Sequence, residues 1–165
     1  MDFEAIGIGR KRAALACGVV DTQLHNWMVR YGLFKDEPTP RPFTFPECLA
    51  VAKIKEMIDY GFAPSVVMEL ANQRAAYRSL LRGRPQLVLQ RDLAGRFVDI
   101  GDAEPERDQP LIFWPVDTTA YRLWPRFTSH AIDLCRSPSA ARETGEALSR
   151  ANDVIPFLRP EHQDE

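Results

Sequence analysis

The stretch GRKRAALACGVVDTQLHNWMVRYGLF, residues 9–34, holds two short helical patterns on either side of Gly18. Ala13, Ala14, Leu15 and Ala16 are small or strongly helix-forming, and Gly18 ends their run because glycine enters the left-handed conformation without steric cost. Asp21 or Thr22 caps a second helix, in which Leu24, Trp27, Met28 and Tyr31 fall at helical spacing until Gly32 closes it. The pattern is helix, glycine turn, helix.

Beyond this stretch the chain changes character. Between Phe34 and Phe45, Pro38, Pro40 and Pro42 alternate with Thr39, Arg41 and Phe43, which forbids helix and suits an extended loop or a narrow two-stranded wing. Pro46 and Glu47 open a third helix, with Leu49, Ala50, Ile54, Met57 and Ile58 on one side as far as Gly61. Pro64 opens a fourth that is expected to run unbroken to Arg82, with Val67, Leu70, Ala71, Tyr77 and Leu81 inward. Arg74, Arg78 and Arg82 recur every fourth residue on another face, as a solvated row or a DNA contact.

After Pro85 the period shortens. Residues 86–91 and 96–100 read as a hairpin around Asp92-Leu93-Ala94-Gly95, residues 101–110 as an acidic loop, and residues 111–116 and 128–134 as further strands. Ser137-Pro138 caps and starts a last amphipathic helix ending near Arg150. The chain from Ala151 onward is expected to be loosely held, with residues 162–165 disordered. The fold class expected is α+β, in two units of residues 1–84 and 85–150 with a tail of 151–165.

Composition narrows the function classes. With 45% hydrophobic and 27% charged residues in 165, the chain can build a core. No run reaches the roughly 20 apolar residues of a membrane span, and Met1-Asp2-Phe3-Glu4 is unlike a signal peptide, so a cytoplasmic, nucleoid-associated location and no membrane partner are expected. Cys17, Cys48 and Cys135 are odd in number and form no C-x-x-C pair, which argues for reduced thiols over a disulfide framework or zinc. Residues 1–85 carry 12 Lys and Arg against 9 Asp and Glu, whereas residues 86–165 carry 9 against 14. The basic half suits a nucleic-acid face or an ordinary solvated one, and the acidic half would not be drawn to phosphates.

Residues 7–71 resemble the winged helix-turn-helix DNA-binding domain of the MerR family and its phage-regulator and excisionase-like relatives. The motifs are the quoted stretch, the proline-rich segment ending RPFTFPE, and IKEMIDYGFAPSVVMEL around Gly61-Phe62. The resemblance implies a recognition helix with Val19, Leu24 and Trp27 in the core and Thr22, Gln23, His25, Asn26 and Arg30 available to bases or phosphates. Gln and Asn pair with adenine, and Arg with guanine or the backbone. It also implies phosphate contacts from Arg10, Lys11 and Arg12 at the first helix, with Lys35 and Arg41 flanking the wing.

The fourth helix is short for the long antiparallel coil through which MerR proteins dimerise, so a homodimer is expected to form through the C-terminal half. Paired metal-sensing cysteines are lacking, and metal sensing is not carried over. The function expected is a sequence-specific transcriptional regulator of double-stranded DNA, without a cofactor. Two alternatives stand beside it: an excisionase-like or packaging-like architectural protein, and an adaptor whose winged helix binds protein.

No enzyme is indicated. Ser129, His130, Asp133 and Cys135 are crowded into one expected strand and cannot converge on a substrate, and no phosphate loop or H-E-x-x-H motif is present. Phe113, Trp114, Tyr121, Trp124 and Phe127 can fill the core, bury a subunit or partner interface, or line a small-ligand pocket. Arg122 and Arg126 beside them can bind an anion or remain solvated.

Overall fold

Two glycines shape the N-terminal part of the computed structural model, which describes residues 3–106, 108–155 and 158. Helix α1 (Arg10–Cys17) ends at Gly18, whose φ of +70° turns the chain so that the Val19 amide donates to the Ala14 carbonyl at 2.9 Å. Helix α2 (Asp21–Tyr31) ends in the same way at Gly32, φ +67°. The expected cap of α2 is corrected: Val20 holds that position in extended conformation, with no side-chain cap. Asp21 lies inside the first turn, where its carboxylate is taken by Arg10.

The proline-rich segment takes the loop alternative. Strand β1 (Gly7–Ile8) pairs antiparallel with β2 (Phe43–Thr44), so the second strand comes from ahead of α1 and not from a hairpin within the loop. Thr44 then caps helix α3 (Phe45–Asp59) in a reciprocal box with Glu47, whose carboxylate accepts the Thr44 amide at 2.9 Å.

The unbroken fourth helix is also corrected. Helix α4 (Pro64–Asn72) and helix α5 (Ala75–Leu81) are separated at Arg74, which adopts φ +51°. Neither glycine nor proline marks the break. Arg74 instead reaches Glu37 and Glu47, so the arginine row loses its first member to ion pairing.

Strand β3 (Gln86–Arg91) lies between β4 (Phe97–Asp99) and β5 (Ile112–Pro115), all antiparallel, as the hairpin and the first additional strand predicted. Residues 128–134 are not a strand but the end of helix α6 (Asp117–Asp133) and the residue after it. Pro125 sits exposed within the helix, while Leu123, Trp124, Phe127 and Ala131 form a buried helical stripe. Helix α7 (Pro138–Ser149) starts at the expected Ser137 cap, which accepts the Ala140 amide at 3.2 Å.

The tail is held more firmly than expected. After α8 (Ala151–Val154), Ile155 and Leu158 are buried, and Ala151 is too. Residues 162–165 lie outside the described residues. The molecule is α+β, with two small antiparallel sheets among the described residues.

Buried residues from both sides of the Gly83-Arg84-Pro85 break form one apolar cluster. Phe45, fully buried on α3, is its pivot. Its ring meets Trp124 and Phe127 of α6 at centroid distances of 4.7 and 5.6 Å, and Tyr77 of α5 at 6.4 Å. Trp114 instead packs near Tyr60 and Phe62, while Phe113 is 56% exposed. The five clustered aromatics therefore divide between core and surface and do not form one pocket.

A polar clamp holds the end of α2. Phe34 has φ +55°, a costly conformation for a non-glycine residue, and its amide donates to the Asn72 side chain at 2.7 Å. The same Asn72 amide group donates to the Gly32 carbonyl at 3.1 Å. Asn72→Ala leaves both backbone groups without these partners and is expected to cost about 1–3 kcal/mol in urea unfolding. Unchanged stability would show that the clamp carries nothing.

Candidate nucleic-acid interface

The outer face of α2 follows from what its inner face buries. Leu24 and Trp27, 0% and 4% exposed, pin the helix to the core, and Val19 is buried in the turn before it. At helical spacing this turns Thr22, His25, Asn26, Val29 and Arg30 outward, and all five are exposed. Gln23 lies half-buried at the margin of that face. Val29 is the member that the sequence reading missed, because a valine in an amphipathic helix is ordinarily assigned inward. At 68% exposure it offers an apolar contact of the kind that reads a thymine methyl.

The basic residues of α1 flank this face with different degrees of freedom. Arg10 forms a forked pair with Asp21, at 2.8 and 3.1 Å, and lies 3.3 Å from the His25 ring nitrogen Nδ1. That hydrogen-bonded fork holds the Asp21 carboxyl below its usual range, despite the opposing effect of desolvation, and raises the Arg10 guanidinium in turn. The fork ties the start of α1 to the start of α2. Arg12 lies 3.7 Å from Asp133 at the end of α6. Lys11 is exposed and makes no ion pair among the described residues.

Lys35 is exposed just beyond α2, beside exposed Asp36. Arg41 is a correction. Its side chain is only 17% exposed, its guanidinium is bound by Glu47 and stands 4.0 Å from Glu37, and it lies over the Phe34 and Phe43 rings. It braces the proline loop against α3 and is not presented to a phosphate. Nothing in the spacing along the chain points to this pairing, because Glu47 reads as a helix-opening acid.

Away from this face, Lys53 is buried and donates to Glu56, Thr119 and the Pro115 carbonyl, which joins α3 to β5 and α6. Burial pushes its ammonium below the usual value in spite of Glu56. Arg122 pairs with Glu56 at 3.2 Å. Ser129, His130 and Asp133 lie on α6 and not on a strand. Cys135 follows them, its thiol 3.4 Å from the Thr144 hydroxyl. No family model, curated protein or solved structure matches this chain.

Proposed function

We propose that this protein is a sequence-specific double-stranded DNA-binding transcriptional regulator of MerR-like, helix-turn-helix type, with α2 as its recognition helix. The observation that carries this reading is the outward row Thr22, His25, Asn26, Val29 and Arg30 on a helix anchored by Leu24 and Trp27. A major groove admits such a helix, and its exposed amide, imidazole, guanidinium and methyl groups match the chemistry of base edges. Lys11 and Arg12 set the register on the phosphates, while Arg10 holds α1 against α2. A single helix of this length reads few base pairs, so two copies act together, joined through the C-terminal half on half-sites one turn of DNA apart or a multiple of it.

Two substitutions separate the roles. Asn26→Ala should cost about 1–3 kcal/mol on the preferred duplex and much less on scrambled DNA, in fluorescence-anisotropy titrations of each. Equal losses would move Asn26 to a backbone role. Lys11→Ala should instead weaken binding to both duplexes and reduce the slope of log affinity against log salt by about 0.9. An unchanged slope would remove Lys11 from the interface.

A further inference from the structure

Beside the proposed interface lies a groove of about 740 Å³, within the roughly 300–1,000 Å³ typical of small-molecule sites. Met28, Phe34, Pro40, Phe43 and Leu134 supply its apolar lining, drawn from α2, the proline loop and the residue after α6. Its other lining residues include Arg10, Lys11, Arg12 and Arg41, with no acidic side chain. Three of these cations have carboxylate partners elsewhere: Arg10 in Asp21, Arg12 in Asp133 and Arg41 in Glu47. Lys11 makes no ion pair among the described residues, although the Asp21 carboxylate held by Arg10 feels its charge, and it is exposed at the groove.

From this combination we infer that the groove binds a small amphipathic anion, an apolar body with one carboxylate-like head, whose head pairs with Lys11. The apolar lining fits the body, and Lys11, in a lining without acidic side chains, selects the charge. Because the same Lys11 is assigned to a DNA phosphate, occupancy of the groove releases DNA. This regulatory half rests on the DNA-binding reading above, whereas the site itself stands on the groove.

Decanoate and decanol, at submicellar concentration, are the probes for isothermal titration calorimetry of the full chain. Decanoate is expected to bind one molecule per chain, about tenfold more tightly than decanol, and Lys11→Ala should erase that preference. Leu134→Trp fills the groove from a position that is already 44% exposed, so the fold should tolerate it. It should weaken both probes about tenfold or more while leaving DNA affinity unchanged without a probe. In anisotropy titrations decanoate should displace labelled duplex from the native chain at the concentration that fills the groove, and should fail to do so from Leu134→Trp.

Absence of saturable decanoate binding, or binding unaffected by Leu134→Trp, overturns the site. Decanoate binding to a chain that also holds DNA without competition overturns the regulation. A chain that binds decanoate but no duplex overturns the DNA reading and leaves the ligand site established.

Discussion

A chain ended at Arg84 is expected to lose its cooperative fold. The truncation removes Leu123, Trp124 and Phe127, all buried, from their contacts with the cluster around Phe45 on α3. Each contributes about 1.5–3 kcal/mol by burial alone, against a total stability of about 5–15 kcal/mol for a typical domain. The cut also takes away Thr119 and the Pro115 carbonyl, through which buried Lys53 holds α3 to α6 and β5. The full chain should melt in one transition by circular dichroism and the fragment should show none. A fragment with its own sharp transition would mean that α1–α5 form an independent core. A separable DNA-binding unit of residues 1–84, as the charge asymmetry and the Gly83-Arg84-Pro85 break suggest, would then be restored.

Glu47→Ala is expected to destabilise the protein by about 3–5 kcal/mol, the usual consequence of removing one partner from a buried ionic network. The Glu47 side chain is 1% exposed and accepts from Arg41, from Arg74 at 2.8 Å and from the Thr44 amide at 2.9 Å. Its loss strands Arg41 over the Phe34 and Phe43 rings and leaves α3 without its capping box. Acid should act through the same residue. Burial pushes the Glu47 carboxyl upward, but the hydrogen bonds from Arg41, Thr44 and Arg74 outweigh it, so the folded value lies below the ordinary one. The stabilisation is therefore complete above the unfolded value of about 4.3 and is lost as pH falls through the lower folded value. Urea midpoints across this range should fall with acid in the native chain and more shallowly in Glu47→Gln. Identical acid dependence in both would place the acid sensitivity elsewhere.

Features governed by local sequence were legible. Gly18 and Gly32 terminate their helices by a conformation that only the chain itself need supply, and Ser137-Pro138 opens α7 on the same local terms. On α2 the family resemblance implied Leu24 and Trp27 inward and Thr22, His25, Asn26 and Arg30 outward, which is how they lie, whereas it set half-buried Gln23 with the outward group and passed over exposed Val29. Tertiary contacts decided the features that were missed. No residue type announces the break at Arg74, which is tied to carboxylates on the proline loop and on α3. Pro125 is tolerated within α6 because the surrounding stripe is buried against α1 and α3, a burial that outweighs one missing backbone donor. Arg41 and Asp21, read as a phosphate contact and a helix cap, are held by Glu47 and Arg10, and neither pairing can be read from spacing along the chain.

Sequence reading by α2 can be measured by selecting duplexes from a random pool with the full chain. Affinity for the selected sequence is then compared with that for its scrambled counterpart at matched salt. A ratio of about a thousandfold or more is expected, falling sharply in Asn26→Ala and Arg30→Ala. A ratio near one, or no enrichment from the pool, would contradict sequence reading by α2.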